Sequence, residues 1–410
     1  MEALKTVARV VRTFERAGRR RSKAMSLGRH RRWSVPLFAT LPVAVLALSS
    51  FAGSSPASAA GGTASKVPAN VAAAQNALKA SERPIQSIDL QLPRIKNIPN
   101  LKGKTILFVP FIASIFSPDG TGISEALSHF GAKVQTCDGQ ALPSTTASCM
   151  EQAIVMHAAA VITYAVPYQM VPAAYNNLTK NRIPTLVAFQ APVGKKSSKY
   201  LAFQTPDPQL FATGEAVDNA IIASSYGKAH VLLLGINDDA DIIQLSNATH
   251  RYLTAHCPKC TVDMSWDTTS ALDKIPATVT GQLESHPNIN YVYCWNDNCA
   301  PYAMQAIQSS GRKVTLVAGV GSLGGMELVA QGHLAYDAAQ SHQYLGWKAA
   351  DGILRMLAGM HIPNNYPNPI RTFDSSNIKG LKLTPAAVAT FSWFGHPTFE
   401  SAFLKVWGKG

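Results

Sequence analysis

Between residues 105 and 360, short runs of branched apolar residues alternate with longer amphipathic stretches. Such runs are typical of strands that are buried on both faces, and they lie at 105–109, 133–136, 160–164, 185–188, 231–234, 291–293 and 314–318. Apolar residues recur at helical spacing in stretches at 122–130, 146–157, 168–180, 208–226, 272–284, 299–310 and 342–358. Strands that alternate with helices predict an α/β protein whose parallel sheets are covered on both sides.

The length of this alternating segment predicts two lobes. A folded part of about 300 residues reaches the size at which a single hydrophobic core stops growing. The sequence Gln-Thr-Pro-Asp-Pro at 204–208 interrupts the pattern, and we place the first crossing between lobes near Thr205. We therefore predict two doubly wound parallel-sheet lobes.

Residues 1–59 have the composition of a signal peptide. Residues 1–33 carry eleven Lys or Arg and two Glu, the apolar stretch 36–53 follows, and Ala57-Ser58-Ala59 before Ala60 fits a signal-peptidase site. The apolar stretch is shorter than the roughly 20 residues of a membrane span, which makes a retained anchor the less favoured alternative. We expect an exported protein that is periplasmic, held in the cell envelope or extracellular.

Removing this leader changes the charge balance. The chain of 410 residues carries a formal net charge of +13, and residues 1–33 supply +9 of it, which leaves about +4 on the rest. The basic surface that binds nucleic acid is therefore not expected, and we predict no nucleic-acid partner. The long basic segment leaves two start codons open, Met1 and Met25.

Two further segments flank the predicted lobes. Residues 60–102 lack sustained periodicity and contain two Gly and four Pro, so we predict a surface arm or linker. Residues 381–410 form an extension rich in large rings, which are Phe391, Trp393, Phe394, Phe399, Phe403 and Trp407. Its Gly and Pro residues exclude a long membrane-spanning helix. We expect the extension to pack across a lobe, with a partner-docking surface as the alternative.

Six cysteines fall in three near pairs, Cys137 with Cys149, Cys257 with Cys260, and Cys294 with Cys299. An even number of cysteines in an exported protein favours disulfides, and the short spacings make these pairings the simplest arrangement. For the Cys-Pro-Lys-Cys segment at 257–260, the alternative is a redox or zinc site. Because zinc would need two further ligands at suitable spacing, we predict disulfides and no metal site.

Five segments have a recognisable order and spacing. They are Ser114-Ile115-Phe116 followed by Gly122, Ile183-Pro184-Thr185-Leu186-Val187, Trp295-Asn296-Asp297, Val317-Ala318-Gly319, and Gly332-His333-Leu334 leading to Gln340 and Gly346. Through these five segments, residues 103–380 resemble the periplasmic sugar-binding proteins of ABC importers, of the ribose-binding type. The resemblance implies a hinge of three crossings, near Thr205, near Ala338 and near 374–377. We accordingly assign 103–204 and 339–373 to lobe 1, and 205–338 and 374–380 to lobe 2.

The resemblance also implies a ligand site at the carboxyl ends of the strands, in the cleft between the lobes. Position by position, Phe116 matches an aromatic residue that packs on the sugar ring. Asn296 matches a polar ligand contact, and Gln340 matches a contact at the second crossing.

Several positions depart from the sugar-binding pattern. Phe189-Gln190 stands where an Asp and an Arg are usual, Gly321 where another Asp is expected, and Tyr164 and Ala113 in place of two Asn. A polyol buried without these carboxylate acceptors would lose hydrogen bonds, at about 1–3 kcal/mol for each unsatisfied group. Tyr164, Phe189 and Trp295 instead add rings, which suit flat or apolar surfaces, although each ring has the alternative of filling a core.

From these residues we predict a solute-binding protein that captures a small, largely uncharged ligand with aromatic or apolar surface for an ABC importer. The predicted ligand-binding residues are Phe116, Tyr164, Phe189, Gln190, Trp295, Asn296 and Gln340. The alternative function is a ligand sensor that presents bound solute to a membrane receptor. We expect a monomer with no cofactor and no catalytic residue.

Two enzyme classes compete with this prediction. The segment Gly319-Val320-Gly321-Ser322-Leu323-Gly324 matches the dinucleotide fingerprint of an NAD-dependent oxidoreductase, with Asp337 as the ribose partner. It falls late in the α/β series, however, and the helix after it is predicted to be short. A hydrolase has no support because neither Gly-x-Ser-x-Gly nor His-Glu-x-x-His occurs. We therefore place His250, His256, His342 and His396 at the surface or at the cleft edge.

Overall fold

Two sheets, both built mainly from parallel strands, organise the chain. The computed structural model describes residues 67–192, 194–204, 207–268, 271–396 and 398–410, and the predicted signal peptide lies outside these residues. The strands of the first sheet are β1 (Thr105–Pro110), β2 (Lys133–Thr136), β3 (Ala160–Tyr164), β4 (Thr185–Ala188) and β5 (Leu201–Gln204). They are parallel and lie in the order β2-β1-β3-β4-β5. The four strands other than β2 are buried almost throughout, as their apolar runs predict.

The second sheet has six strands. They are β6 (His230–Ile236), β7 (Thr261–Asp267), β8 (Tyr291–Cys294), β9 (Thr315–Val320), β10 (Tyr336–Gln340) and β11 (Ile370–Phe373). The order is β11-β10-β9-β8-β6-β7, and only the pairing of β10 with β11 is antiparallel. In each sheet the strand order reverses next to the first strand of that sheet, β1 or β6, and open α/β sheets form their ligand crevice at such a point.

Helices cover both faces of the sheets. They are α1 (Ala69–Ser81), α2 (Ala113–Ser128), α3 (Pro143–Val155), α4 (Pro172–Lys180), α5 (Asp207–Ser224), α6 (Ala240–His256), α7 (Ile275–Ser285), α8 (Ala300–Ser310), α9 (Leu323–Ala330), α10 (His342–Leu357), α11 (Pro385–Val388) and α12 (Phe399–Trp407). The predicted α/β class with two parallel-sheet lobes is confirmed. The three predicted disulfides are also present, Cys137–Cys149, Cys257–Cys260 and Cys294–Cys299.

The chain passes between the lobes after β5, after β10, and between α10 and β11. The third crossing differs from the predicted one near 374–377, and residues 370–373 lie in the second sheet, not in lobe 1. The reason is the pairing of Phe373 with Asp337, and of Ile370 with Gln340, which places β11 along the open edge of β10. Sequence periodicity carries no information about such a non-local partner.

Helix α10 returns to the first lobe and packs on α2 through two glycines. A Cβ added to Gly346 would lie 2.7 Å from the backbone nitrogen of Ile123 and 2.8 Å from Cα of Gly122. A Cβ added to Gly122 would lie 3.1 Å from Cα of Gln343. The two backbones can therefore approach this closely only because both positions lack a side chain.

The predicted arm before β1 contains a helix and is bound at both ends. Helix α1 buries Val71, Ala74 and Leu78 against α5 of the second lobe, a helical spacing that was hard to recognise among the many alanines of this segment. Further along, the amide of Ile85 donates to the carbonyl of Phe394 at 2.6 Å, and the amide of Ile95 donates to that of Val406 at 2.9 Å. The segment is thus a packed strap and not a free linker.

The C-terminal extension packs on α10 of the first lobe, as the sequence predicts. The rings of Trp407 and Trp347 stack with centroids 5.3 Å apart. The buried Asp351 accepts four hydrogen bonds, from Arg355 Nε at 2.6 Å and Nη2 at 3.4 Å, from Tyr366 Oη at 2.5 Å and from Trp407 Nε1 at 2.7 Å. This carboxylate therefore joins the extension to the lobe.

Replacing Asp351 by Ala should lower the free energy of unfolding by about 3–5 kcal/mol, because Arg355 would remain buried without its charge partner. Urea unfolding followed by circular dichroism measures the change. The matched control is Glu327→Ala at an exposed helical position, where we expect a change within about 0.5 kcal/mol. An Asp351→Ala variant as stable as the control would show that the carboxylate does not hold the extension in place.

Candidate ligand-binding site

A cavity of about 540 Å³ lies between the two lobes. Its walls come from the first half of α2, from the loops after β8 and β9 with the starts of α8 and α9, from the start of α10, and from α11 with Ala389 in the extension. The lining residues are Ser114, Ile115, Ser117, Pro118, Thr121, Asp297, Asn298, Pro301, Ser322, Leu323, Gly324, His342, Pro385, Val388 and Ala389. The cavity thus combines hydroxyl, amide and carboxylate groups with apolar side chains.

Strand ends account for the convergence of these residues. The helices α2, α9 and α10 follow directly on β1, β9 and β10, and Asp297 follows shortly after β8. The carboxyl ends of parallel strands meet at one edge of each sheet, where the helices that follow begin. Ser322 fixes the start of α9 by accepting a hydrogen bond from the amide of Gly325 at 3.0 Å.

A buried carboxyl pair lies on the side of the second lobe, and one member, Asp297, lines the cavity. The Asp297 Oδ2 atom accepts a hydrogen bond from the amide of Ser322 at 2.6 Å, and Asp337 lies beside Asp297. Burial raises the pKa of Asp297. Burial and the neighbouring Asp297 raise the pKa of Asp337 well above its usual value, while the amides of Gly321 and Val320 partly offset this. One proton on Asp337 therefore relieves the repulsion between the two carboxylates.

His342 connects the first lobe to this pair. Its Nδ1 atom lies 2.9 Å from Asp119 Oδ2, and Asp119 Oδ1 accepts a hydrogen bond from the hydroxyl of Tyr164 at 2.8 Å. Burial lowers the pKa of His342, but Asp119 and Asp297 together raise it above its usual value. The imidazole is only 4 % exposed, so it is a buried member of the cavity wall and not a surface residue.

Three of the predicted aromatic residues lie together in the first lobe. The rings of Tyr164 and Phe189 stack with centroids 5.5 Å apart and an interplanar angle of 8°. Phe116 is tilted against Tyr164 at 5.2 Å and against Phe189 at 6.3 Å. Tyr164 is buried, whereas Phe116 and Phe189 keep part of their surface exposed.

The four other predicted residues make contacts of their own outside this group of rings. Gln190 donates across the lobes to Asp239 Oδ2 at 3.4 Å, and next to it the amide of Ala191 donates to Asp241 Oδ2 at 3.1 Å. Asn296 Oδ1 accepts a hydrogen bond from the amide of Asn298 within its own loop at 3.0 Å. The remaining two are buried: Trp295 lies in the core, and Gln340 Nε2 donates to Thr213 Oγ1 at 2.7 Å.

All seven predicted residues belong to the described part of the chain, and none of them is among the residues that line this cavity. Contact between any of them and a ligand stays a prediction. Asp297, next to the predicted Asn296, and His342 were missed as site residues. The only signal for Asp297 was its place in the Trp-Asn-Asp segment at 295–297, because a loop sequence does not reveal which of two neighbouring side chains points into a cavity.

Gly321 explains one departure from the sugar-binding pattern. Its φ of +83° lies in the left-handed region, and an added Cβ would overlap the side chain of Ala339 and lie 2.9 Å from its Cα. An Asp at this position is therefore excluded by packing as well as by backbone conformation. The cavity has a carboxylate all the same, because Asp297 supplies one from the neighbouring loop.

The dinucleotide fingerprint at 319–324 does form a strand, a turn and a helix of eight residues. In a nucleotide site, the amides at the start of such a helix bind a pyrophosphate. Here the amide of Ser322 donates to the carboxylate of Asp297, and Asp337 is buried beside that carboxylate. A second anion at this place would meet electrostatic repulsion, so the geometry does not fit a dinucleotide.

A family model described as periplasmic binding protein domain matches residues 106–360. The match covers more than half of the chain and includes both sheets up to α10. This chain therefore belongs to the periplasmic binding protein family. The resemblance seen in the sequence is confirmed.

Solved structures share the fold. A solute-binding protein of an ABC transporter from Actinobacillus succinogenes with bound D-allose is 19% identical, with a TM-score of 0.57, over 68% of this chain and 100% of its own. The myo-inositol binding protein of Caulobacter is 17% identical, with a TM-score of 0.57; the match covers 70% of this chain and 97% of the Caulobacter protein. A Mycobacterium smegmatis protein in complex with β-D-fucofuranose is 18% identical, with a TM-score of 0.55; the match covers 74% of this chain and 98% of that protein.

No curated protein matches the chain in sequence. Within the described residues, none of the helices combines the length and the apolar composition needed to span a bilayer. In the same part of the chain, His, Cys, Asp and Glu side chains do not gather into a group that could hold a metal ion.

The raised pKa of Asp337 predicts a pH dependence of stability. Because the folded protein holds this proton more tightly than the unfolded chain, the free energy of unfolding should fall as the pH rises from about 4 towards neutrality. Asp337→Asn, which resembles the protonated acid, should flatten this dependence and leave the protein at least as stable at neutral pH. Urea unfolding across this pH range measures both slopes.

The control for this experiment is Asp273→Asn, because Asp273 is exposed and no stability effect of its charge is expected. If the slopes of the wild type and of Asp337→Asn coincide, Asp337 does not retain its proton in the folded protein.

Proposed function

We propose that this protein is an exported solute-binding protein that captures a small, largely uncharged ligand between its lobes and delivers it to an ABC importer. The observation that carries the proposal is the cavity of about 540 Å³ whose walls come from both lobes and from His342 at the hinge. Small-molecule sites commonly have volumes of about 300–1,000 Å³. The fold-level relatives that hold D-allose, myo-inositol and β-D-fucofuranose support a ligand with hydroxyl groups.

The lining of the cavity supports a ligand with two different faces. Ile115, Pro118 and Leu323 offer only apolar contacts, whereas Ser114, Ser117 and Asn298 offer hydroxyl and amide groups. The carboxylate of Asp297 is a strong acceptor for a ligand hydroxyl. A glycoside with an aromatic or alkyl substituent would satisfy both kinds of wall. A free sugar would leave the apolar wall without a partner.

The predicted aromatic residues would act next to this cavity. Phe116 lies in α2 between Ile115 and Ser117, which both line it, and the partly exposed rings of Phe116 and Phe189 would stack on the apolar face of the ligand. Gln340 keeps its buried Oε1 without a hydrogen-bond partner in the described structure, so this oxygen would accept from a ligand hydroxyl. Gln190, Trp295 and Asn296 would complete the contacts from the two lobes.

The two lobes would close on the ligand and present a joint surface to the permease. The hydrogen bonds from Gln190 and Ala191 to Asp239 and Asp241 join the lobes on the side of α6. Burial raises the pKa of Asp239, an effect that is reduced by the hydrogen bonds it accepts from the amides of Ile242 and Asp241 and from the side chain of Gln190. These contacts would hold the lobes together around a bound ligand.

Isothermal titration calorimetry with D-glucose, phenyl β-D-glucopyranoside, D-allose and myo-inositol tests the ligand class. Phenyl β-D-glucopyranoside should bind at least about tenfold more tightly than D-glucose, because burial of a phenyl ring contributes about 1.5–3 kcal/mol. Native mass spectrometry of protein from its own source should show a retained small molecule. Tight binding of D-glucose with no gain from the phenyl group would contradict the ligand class. A protein that retains nothing and binds no member of this panel would contradict the solute-binding function.

Replacing Phe116 by Ala or by Leu separates stacking from core packing. Both variants should weaken binding of phenyl β-D-glucopyranoside by about fivefold, because both remove the ring face, and aromatic pairs contribute about 0.5–1.5 kcal/mol beyond burial. The Leu variant keeps most of the apolar volume and serves as the stability control in thermal unfolding. Wild-type affinity in Phe116→Leu would show that the ring only fills the lobe.

A further inference from the structure

The short helix α11, with Ala389 after it, belongs to the wall of the cavity although it lies outside the domain that the family model matches. Pro385, Val388 and Ala389 line the cavity together with residues of both lobes. The family match ends at residue 360, so this part of the wall is an addition to the matched domain. We propose that α11 and Ala389 select the ligand by closing the cavity with an apolar surface of fixed position, an inference that rests on the proposed solute-binding function.

The chemistry of this wall is uniform. Pro385, Val388 and Ala389 present carbon atoms and no side-chain donor or acceptor. A ligand hydroxyl placed against them would lose its hydrogen bond to water without replacement, at about 1–3 kcal/mol. An apolar ligand group in the same place gains the free energy of leaving water. The wall therefore favours an aromatic or alkyl substituent over a hydroxyl at this end of the cavity.

The start of α11 is fixed by its local sequence. Thr384 precedes the helix and accepts a hydrogen bond from the amide of Ala387 at 3.2 Å through its Oγ1 atom. Pro385 occupies the first helical position, where its missing N–H is not needed. Val388 is only 6 % exposed and packs into the large hydrophobic core. This one-turn helix is therefore held from its N-terminus to its last residue.

The chain that follows anchors α11 to both lobes. Trp393 donates from Nε1 to the carbonyl of Lys382 at 3.0 Å, which closes a loop around the helix. The carbonyl of Trp393 in turn accepts a hydrogen bond from Arg371 of β11, in the second sheet, at 2.6 Å. Phe391 packs on Phe399 with ring centroids 5.1 Å apart, and Phe399 packs on Trp347 of α10 in the first lobe. A wall anchored in this way does not move to admit a larger ligand, so it restricts ligand size.

A pair of substitutions on neighbouring positions tests the selection. Ala389→Leu extends a half-buried, cavity-lining side chain and should weaken binding of phenyl β-D-glucopyranoside by at least about tenfold, because overfilling a packed site typically costs 1–3 kcal/mol. Ala386→Leu is the matched control, since Ala386 is exposed on the same helix and does not line the cavity. Calorimetry measures the affinities, and the melting temperatures of the ligand-free variants should equal that of the wild type.

Val388→Ala provides the opposite change and does not depend on accommodating a larger side chain. It removes two methyl groups from the wall and should improve binding of 2-naphthyl β-D-glucopyranoside relative to phenyl β-D-glucopyranoside by about threefold or more. Equal affinities for the wild type, Ala389→Leu and Ala386→Leu, with no change of preference in Val388→Ala, would overturn the selecting role of α11 while leaving the solute-binding function intact. A wild-type protein that binds none of these compounds would overturn both proposals.

Discussion

The close contact between α2 and α10 is the constraint on which the ligand cavity depends. Helix α10 begins directly after the crossing from the second sheet, yet its body packs backbone to backbone on α2 of the first lobe, at Gly122 and Gly346. A side chain at either glycine would push the helices apart. His342 at the start of α10 would then move away from Asp119 on α2. Packing between two helices thus sets the electrostatics of the cavity.

Those electrostatics rest on few charges. Asp119 and His342 form a buried pair, and Asp297 and Asp337 form a second pair that is relieved by a proton. Of these four groups, Asp297 and His342 line the cavity. The site therefore offers a hydrogen-bonding carboxylate without a large net charge. This balance agrees with a ligand that is uncharged but carries hydroxyl groups.

The sequence predicted the strands in the centres of the sheets because strands buried on both faces are continuous apolar runs. It did not single out β5, β7, β10 or β11. Strand β7 is only partly buried at the sheet edge, and β10 carries Asp337 and Gln340 within its five residues. The lobe to which β11 belongs is set by its pairing with β10, and periodicity contains no such information. Helix α1 was missed because only three of its residues, Val71, Ala74 and Leu78, form the buried face.

For the candidate site, strand order and strand ends predicted that Phe116, Tyr164 and Phe189 lie near each other, and these three rings are in contact. The direction of each side chain could not be derived in the same way. Asn296 and Asp297 are neighbours, yet Asn296 bonds to its own loop while Asp297 lines the cavity. The sequence also did not predict that α11 lines the cavity, because a segment that follows both lobes can pack at many places on them.

The strap before β1 has a consequence for the order of biosynthesis. Ile85 and Ile95 are translated before either lobe, but their backbone partners at Phe394 and Val406 are translated only after both lobes. These two backbone hydrogen bonds can therefore form only when the C-terminal extension is present. Each lobe is encoded between these segments, whereas the outer layer needs residues that come from before and after both lobes.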